Sequence, residues 1–594
     1  MHYLNLTKHY EHLEQTPRRL EKTHILQGIL NTIKTAEDAE ATINLIRGAV
    51  FPAWDERKIG ISEKLVIKAL AKATGTGQEK IEKHWAKIGD LGKVTEQLLS
   101  QKQQQTLFSS SALTTTLVYR ELRTIATIKG EGAVTKKIGI ICKLLTAATP
   151  LEAKFIIRTL LEDLRIGIGE GTLRDAIAWS SFSKELSINY DPAAKEILIP
   201  EDKREDYTKI LDIIQQAYDW TNDFAEVYWT LHEQGLKGLK KISLKPGRPF
   251  NVMLAIKAEN STEAAEAVGL PALCDYKLDG FRVQIHSDGK KIILFTRRLE
   301  NVTHQFKELL PLIQEHVNAT TFVLDAEIVG FDPKTKTYLP FQHISQRIKR
   351  KYDIEALAKK IPVEINAFDI LYKDGKDLTN KSQEERRSIL EKALSQKKGR
   401  IIATTATTAT TIQGVETFYK HALKEGVEGI IIKNLKKPYQ PGRRVGGWIK
   451  LKPVLETLDL VIVQAEYGTG KRAGTLSSYT IACLNNDKSN YLELGKVSTG
   501  LKEKEEEGTT YEEITKSLKP LIIKTTGRTV FVKPRIIIEV AYEEIQQSPS
   551  YSSGYALRFP RFLKIRTDRS EKQINTLEDV ERIYTKQRGK HRNV

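Results

Sequence analysis

The sequence predicts a multidomain protein with an all-α N-terminal domain, a central α+β domain and a small C-terminal β-barrel. Its 594 residues are too many for one hydrophobic core, so about three to five domains of roughly 100 to 200 residues each are expected. The hydrophobic pattern also changes from a helical period to alternating strands after a segment rich in Pro and Gly. We place the three domains at 1–240, 241–455 and 456–594.

In the first region the apolar residues recur at intervals of three and four, which is typical of amphipathic helices. The stretches LVIKALAKA (65–73) and FIIRTLLEDL (155–164) show this period. The segment KKISLKPGRPFN (240–251) follows, and its two prolines and one glycine predict a linker. The first region is therefore predicted to be all-α.

Beyond the linker, short alternating stretches predict strands mixed with helices. They include YKLDGFRVQIH (276–286), TFVLDAEIVGF (321–331) and PVEINAFDIL (362–371). From DLVIVQAEYG (459–468) onward, strands separated by turns are compatible with a small β-barrel. The low-complexity stretch ATTATTATT (403–411) is predicted to be a loop or an irregular strand edge.

Composition is that of an ordinary globular protein, with 40% hydrophobic and 28% charged residues. No run of 18 apolar residues occurs, and the N-terminal residues lack the pattern of a signal peptide. Cys142, Cys274 and Cys483 lie far apart, so neither a disulfide framework nor a four-cysteine zinc site is expected. We therefore expect a cytoplasmic protein without membrane contact.

The charge balance favours a polyanionic partner. Lys and Arg number 93 against 75 Asp and Glu, which gives a net charge of +18, and such an excess binds phosphates with release of counterions. A solvated, Lys-rich surface explains the same excess, so charge alone leaves both interpretations open.

The stretch CDYKLDGFRVQIH (274–286) raises the question of why a predicted strand carries a lysine. Alternation would place Lys277 and Asp279 on one face and Leu278 on the other. Burial and nearby cations can lower the lysine pKa of about 10.4 by several units and produce a nucleophile, and Gly280 would leave space for a ligand. The alternative is an exposed lysine on a half-buried strand, which the short KxDG pattern alone favours.

Seven stretches follow one another in order from Lys277: KLDG (277–280), TRRLENVT (296–303), LDAEIVGF (324–331), INAFDILYKDGKDL (365–378), EGVEGIIIK (425–433), RRVGGWIKLK (443–452) and ALRFPRFLKIRTD (556–568). Together they resemble the motifs of the ATP-dependent DNA ligases of archaeal and eukaryotic replicative type, within the covalent nucleotidyltransferases. GDLG (89–92) and LRIGIGEGTLRDAIA (164–178) are similar to the helical DNA-binding domain of the larger members. The resemblance implies a DNA-binding domain at 1–240, an adenylation (nucleotidyltransferase) domain at 241–455 and an OB-fold at 456–594.

The resemblance implies that Lys277 takes AMP from ATP, that AMP passes to the 5′-phosphate at a nick, and that the 3′-hydroxyl displaces it. A carbonyl or carboxylate oxygen at Asp275 would recognise the adenine amino group, and Phe368 would stack on the base. The other predicted contacts with ribose or phosphate are Arg282, Arg297, Glu327, Arg444, Lys450 and Lys452. The last motif would orient the outgoing pyrophosphate through Arg558, Arg561, Lys564 and Arg566, with Asp568 helping to set that geometry.

The expected cofactors are ATP and Mg²⁺, with Mn²⁺ as an alternative. Hard oxygen ligands suit magnesium, so Glu327 and Glu428, both expected at strand ends, are its candidate ligands. Surface carboxylates paired with lysines are the alternative interpretation of these two residues.

The expected partner is nicked double-stranded DNA, bound by a monomer mainly through backbone contacts. KQQQTLFSS (102–110) carries Gln104, Leu107 and Phe108 and is similar to the sliding-clamp-binding peptide of some relatives. A solvated loop between helices explains that segment equally well.

Four other functions compete with this interpretation. An RNA ligase or a capping guanylyltransferase would share the lysine motif, but neither is expected to carry 240 helical residues. An NAD-dependent ligase would add a nicotinamide-reading domain and a four-cysteine zinc module. A protein that only binds nucleic acid would explain the charge but not the ordered motifs around Lys277.

Overall fold

The computed structural model describes residues 1–101, 112–335, 337–339, 341–348, 354–442, 447–453, 456–468, 472, 474–502 and 508–586, with only the backbone at Gln342 and Gln346. The chain forms two compact units. The first contains Met1–Leu254, Gly280–Ala403 and Lys436–Val445, and the second contains Ala255–Asp279, Thr404–Leu435 and Gly446–Val594.

The helices of the described residues are α1 (Tyr3–Gln15), α2 (Arg19–Leu30), α3 (Ala36–Ile46), α4 (Glu63–Thr74), α5 (Gln78–Ile88), α6 (Leu91–Ser100), α7 (Thr115–Thr127), α8 (Ala133–Ala147), α9 (Pro150–Leu160), α10 (Glu170–Phe182), α11 (Arg204–Thr221), α12 (Phe224–Lys240), α13 (Ser261–Val268), α14 (Leu309–His316), α15 (Phe341–Ile348), α16 (Ile354–Lys360), α17 (Gln383–Ala393), α18 (Ile412–Lys424), α19 (Tyr511–Leu518) and α20 (Leu577–Lys586).

The strands of the described residues are β1 (Asn189–Asp191), β2 (Glu196–Leu198), β3 (Ile256–Ala258), β4 (Ala272–Lys277), β5 (Phe281–Asp288), β6 (Ile292–Thr296), β7 (Thr321–Asp332), β8 (Thr337–Leu339), β9 (Val363–Lys373), β10 (Lys376–Asp377), β11 (Ile401–Ala403), β12 (Ala406–Ala409), β13 (Gly429–Asn434), β14 (Trp448–Leu451), β15 (Leu458–Tyr467), β16 (Leu476–Leu484), β17 (Tyr491–Val497), β18 (Ile522–Thr526), β19 (Thr529–Val532), β20 (Ile537–Ala541), β21 (Glu544–Gln547), β22 (Tyr555–Arg558) and β23 (Arg561–Ile565).

The N-terminal part of the first unit is helical apart from the hairpin of β1 and β2. Local sequence explains where its helices begin. Asp90 caps α6 by accepting from the N–H groups of Gly92 and Lys93, and Thr149 forms a capping box with Glu152 at the start of α9. The two stretches with a helical period fall in α4 and α9, although α9 ends at Leu160.

The first unit also contains a sheet with the order β10-β9-β7-β5-β6, in which β8 pairs with β7 and β11 runs parallel to β9. Alternate residues of its central strands, among them Val283, Leu324 and Ile365, are buried in an apolar core. The other face of β5, β7 and β9 carries polar side chains, and we call it the polar face.

The second unit contains a sheet with the order β12-β4-β13-β14-β3, against which α13 and α18 pack. We call it the lysine sheet because β4 ends at Lys277. The threonine-rich stretch supplies its edge strand β12, whose Ala406 stands opposite Asp275. The predicted strand edge is therefore present.

The C-terminal part of the second unit is rich in strands. Its sheet has the order β17-β16-β15-β19-β18, and β20 pairs with both β15 and β23. The strands β21 and β22 form a separate antiparallel pair. The predicted layout of a helical region, a central α+β region and a strand-rich C-terminal region is confirmed, whereas the boundaries at 240 and 455 stay a prediction.

The segment YKLDGFRVQIH does not form one strand, so that prediction is wrong. The chain ends β4 at Lys277 and begins β5 at Phe281 in a different sheet. Asp279 therefore lies in the bend rather than on the strand beside Lys277. A Cβ at Gly280 would lie 2.3 Å from the carbonyl oxygen of Ile328, so protein backbone, not a ligand, fills the space that this glycine leaves.

No helix in the described part of the chain combines the length and apolar character needed to cross a membrane.

Candidate active site

Lys277 stands at the end of β4, where the chain leaves the lysine sheet. Its Nζ donates to Oε2 of Glu428 in an ion pair, and its side chain is 21% exposed. The N–H of Glu428 also donates to the carbonyl of Lys277 at 3.0 Å, so the backbone positions both members of the pair. Opposite Lys277 lies Gly429, where a Cβ would be 2.2 Å from the carbonyl oxygen of Leu451. Only glycine fits there.

Strand register gathers basic residues on one face of the lysine sheet. Asp275 and Lys277 share this face because they alternate on β4, and the registers of β13 and β14 add lysines to it. We call it the lysine face, and it carries Asp275, Lys277, Lys433, Lys450 and Lys452. Burial and the neighbouring ammonium groups of Lys452 and Lys277 lower the pKa of Lys450. The face thus concentrates positive charge suited to phosphate.

Glu428 lies between two lysines. Its Oε1 is 3.4 Å from Nζ of Lys452, while its Oε2 accepts from Lys277. Burial alone would raise the pKa of Glu428, but these two ammonium groups outweigh burial and hold the pKa below its ordinary value. Glu428 therefore remains a carboxylate at neutral pH.

Asp275 is paired with Lys433 in the interior of the sheet. The two side chains are 2% and 1% exposed and form an ion pair, and Nζ of Lys433 also lies 4.6 Å from the ring centroid of Trp448. A buried carboxylate is costly without a cation, and Lys433 supplies that cation to Asp275.

The polar face of the first unit is organised around Arg282. Its guanidinium makes two hydrogen bonds to Asp325, at 2.8 and 2.5 Å, and a third to the carbonyl of Met253 at 2.7 Å. The hydroxyl of Tyr439 donates to the same buried carboxylate at 2.9 Å. Arg282 is therefore fixed in place, with its ion-pair partner fully buried.

Glu327 faces the same region, opposite Arg282 on β5 and Asn366 on β9. It stands inside the twelve-residue strand β7, so its predicted position at a strand end is wrong. The apolar residues on both sides of Glu327 continue the strand. Glu428, by contrast, directly precedes β13, as predicted.

Phe368 is the extra residue of a β-bulge. Ala326 pairs with Ala367 and Asp325 pairs with Asp369, so the register shifts by one residue at Phe368. Its ring is half-buried and lies 5.2 Å from the guanidinium carbon of Arg282. The bulge thus places an aromatic ring beside the guanidinium of Arg282.

Two predicted site residues remain, Arg297 and Arg444. Arg297 is exposed, directly after β6, and Arg444 lies outside the described residues.

The basic residues of the last motif divide into two groups. Arg558 reaches the lysine motif, with Nη1 3.4 Å from Asp279 and 3.3 Å from Glu544. The others interact elsewhere in the C-terminal region: Arg566 pairs with Asp459 at 3.0 Å and Asp568 at 2.7 Å, Lys564 pairs with Glu539 at 3.3 Å, and Arg561 is exposed.

Sequence reasoning missed Asp325, Lys433 and Tyr439 as members of these clusters. It also missed Glu543, whose Oε2 lies 3.2 Å from Nζ of Lys452. Asp325 stands two residues before Glu327 and so on the same strand face, which was a usable signal. Lys433 directly follows the apolar run of EGVEGIIIK, and a lysine at the end of a predicted strand was also a usable signal. Tyr439 and Glu543 lie in segments without a motif, and only the tertiary structure brings them to their partners.

The order of a helical region, an α+β region and a strand-rich region along the chain is the layout of a multidomain nucleotidyltransferase. Three family models match the chain: DNA ligase N terminus over residues 2–178, ATP dependent DNA ligase domain over 252–452, and ATP dependent DNA ligase C terminal region over 472–569. The chain therefore belongs to the ATP-dependent DNA ligases, the family of enzymes that seal nicks in DNA and serve its replication and repair.

Similar proteins agree with this assignment. The DNA ligase of Nanoarchaeum equitans is 47% identical over 572 residues, 96% of each chain, and that of Methanopyrus kandleri is 37% identical over the full length of both. A solved structure named Pmar-Lig_PreS3 shares the fold with a TM-score of 0.56 over 94% of this chain and 99% of its own, at 18% identity.

Proposed function

We propose that Lys277 is the nucleophile that carries AMP during nick sealing. Its nitrogen attacks the α-phosphorus of ATP, an N–P bond forms and pyrophosphate leaves. AMP then passes to the 5′-phosphate at the nick, and the 3′-hydroxyl displaces AMP as the new phosphodiester forms. The observation that carries this proposal is the position of the Lys277 amine, at a strand end and hydrogen-bonded to Glu428.

The reacting amine must be unprotonated. The proton that it loses passes to solvent water, and the hydrogen bond from Nζ of Lys277 to Oε2 of Glu428 orients the amine. Lys450 and Lys452 lie on the same face and would hold the α-phosphate oxygens, so positioning and charge would supply most of the rate acceleration.

The remaining predicted contacts recognise the nucleoside. Phe368 is proposed to stack on adenine, and the position of its ring in a bulge supports this role. Asp275 is proposed to read the adenine amino group. Ribose or phosphate contacts are proposed for Arg282, Arg297, Glu327 and Arg444.

Magnesium is proposed as the metal ion, with Glu428 and Glu327 as its protein ligands, directly or through water. Among the described residues no group of three or more His, Cys, Asp and Glu could hold a metal alone. This fits an ion held mainly by phosphate oxygens and water with one or two carboxylates, and Glu428 stays ionised, as a ligand must. Such an ion would neutralise charge on the phosphates.

The C-terminal region is proposed to act on the leaving group. Of its basic residues, Arg558 has direct support because it contacts Asp279 of the lysine motif. Arg561, Lys564 and Arg566 are proposed to orient pyrophosphate, with Asp568 fixing Arg566 through their ion pair at 2.7 Å.

Nicked double-stranded DNA is the proposed macromolecular partner of a monomeric enzyme, and the net charge of +18 supports it. Clamp binding through Gln104 to Phe108 stays a prediction, because that segment lies outside the described residues. The cytoplasmic location also stays a prediction.

The test is mass spectrometry of protein incubated with ATP and magnesium. We expect one added AMP on Lys277, no adduct with GTP, and no adduct in Lys277→Arg, which should still seal DNA that is supplied already 5′-adenylated. AMP on another residue, or ATP-dependent sealing by Lys277→Arg, would contradict the proposal. Comparison of sealing on nicked DNA and on nicked RNA tests which of the two polymers is the substrate.

A further inference from the structure

Glu543 lies in the turn between β20 and β21 and reaches the lysine face. Its Oε2 is 3.2 Å from Nζ of Lys452. The turn is held from the other side, because the N–H of Glu543 donates to the carbonyl of Arg558 at 2.9 Å and Arg558 in turn contacts Asp279. The position of Glu543 is therefore defined by the backbone of β22 and by the lysine motif together.

Lys452 thus has two carboxylate partners for one charge. Glu428 is the inner partner, at 3.4 Å and shared with Lys277, whereas Glu543 is 44% exposed. Loss of Glu428 would also remove the ion-pair partner of Lys277. Glu543 is the partner that can leave at little cost, since a half-exposed ion pair contributes weakly to stability.

A phosphate group on Lys452 would share the ammonium group with the Glu543 carboxylate. Both are anions, and at such short range a carboxylate and a phosphate repel one another while competing for the same ammonium. Binding of the triphosphate must therefore move the Glu543 carboxylate or overcome its repulsion.

We infer that Glu543 is a positioning residue that acts through Lys452, standing in for phosphate until ATP binds and thereby setting the affinity for the nucleotide. This rests on the proposed contact of Lys452 with the α-phosphate. Glu543 keeps Lys452 neutralised and oriented without ATP, and it weakens ATP binding by the free energy of the ion pair it forms.

The test is the ATP dependence of self-adenylylation in wild type, Glu543→Gln and Glu543→Asp, without DNA. In Glu543→Gln the KM for ATP should fall by roughly two- to fivefold, with a smaller change in the rate at saturating ATP. Glu543→Asp keeps the charge and should remain closer to wild type. Glu512→Gln removes an equal charge from the exposed first turn of α19 and should leave the KM unchanged.

A KM in Glu543→Gln that is unchanged or higher would overturn the inference, as would an equal fall in Glu512→Gln, which would show a general charge effect. Melting temperatures of the four proteins should agree within a few degrees. If wild type itself takes no AMP on Lys277, the proposed function fails; normal wild-type labelling with an unaltered KM in Glu543→Gln refutes only the role of Glu543.

Discussion

At the scale of single residues, the polar face depends on one buried ion pair. Arg282 and Asp325 form two hydrogen bonds in a region where the carboxylate is fully buried. Removing one member of a buried pair leaves an uncompensated charge, which costs about 3 to 5 kcal/mol. We expect Asp325→Asn to lower the free energy of unfolding by about that amount, measured as the denaturant midpoint of the transition that contains the first unit.

The matched control is Asp163→Asn. Asp163 also pairs with an arginine, Arg165, at 2.7 Å, but its side chain is 54% exposed. Exposed pairs contribute at most about 1 kcal/mol. Equal losses in the two variants would mean that burial does not set the importance of the Arg282 pair.

A second residue-scale prediction concerns pH. His286 is buried, which lowers its pKa to about 3; Nδ1 accepts from the N–H of Gly247, and Nε2 lies 3.1 Å from Oε1 of Gln284. The neutral imidazole thus connects Gly247 of the linker to β5 through a hydrogen bond. The unfolded chain binds a proton near pH 6.5 and the folded chain does not, so this stabilisation is complete above pH 6.5 and is lost as the pH falls toward 3.

Each pH unit below 6.5 should therefore remove up to about 1.4 kcal/mol of stability through this group. We expect His286→Asn to be less stable than wild type at pH 7.5 and to lose less stability on acidification. Parallel curves of melting temperature against pH for the two proteins would contradict this.

At the scale of secondary-structure elements, close strand approach at Gly429 determines the geometry of the lysine sheet. A Cβ there would meet the Leu451 carbonyl oxygen at 2.2 Å, and φ is +152°. We expect Gly429→Ala to lower the free energy of unfolding by more than about 1 kcal/mol and to slow self-adenylylation at least tenfold, because Glu428 precedes it directly and pairs with Lys277. AMP labelling quenched at successive times measures the rate, and denaturant unfolding curves measure the free energy of unfolding.

Gly139 is the control for this substitution. It lies exposed inside α8 with no atom within 4 Å of an added Cβ, so Gly139→Ala should stabilise the protein by roughly 0.5 to 1 kcal/mol. If both alanine variants labelled at the wild-type rate, the strand geometry at Gly429 would not matter for Lys277.

Elements with a strong local period were predictable from sequence, and those that depend on distant pairing were not. The helices α4 and α9 were predicted from their apolar spacing. The break after Lys277 was missed. Leu278 and Phe281 are three residues apart, so the alternation changes phase between them, but only the tertiary structure shows that β4 and β5 find partners in different sheets.

The residues of the candidate site also fall into those that the sequence predicts and those that only the tertiary structure brings together. Lys277 and Glu428 stand in motifs with a fixed order along the chain, so the sequence predicts both as site residues, and the structure pairs their side chains. The bulge at Phe368 and the pairing of Lys452 with Glu543 arise from strand register and from a turn about ninety residues away, and no local pattern encodes either.

At the scale of the whole molecule, the net charge of +18 should make the DNA-dependent steps far more sensitive to salt than the first step. Binding of nicked duplex neutralises several phosphates, so its affinity should fall roughly 10³- to 10⁵-fold between about 50 and about 200 mM salt if six to ten phosphates are contacted. Self-adenylylation involves one nucleotide held at short range, and its KM for ATP should change much less.

Fluorescence anisotropy with a labelled nicked duplex and AMP labelling in the same buffers measure the two quantities. Duplexes of different base sequence should give one salt slope, because contacts with phosphate and sugar carry no sequence information. A duplex affinity that is insensitive to salt would contradict the polyanion interpretation of the charge. An equal loss in the labelling reaction would instead place the effect of salt on the lysine face, where Lys450 and Lys452 are proposed to hold phosphate.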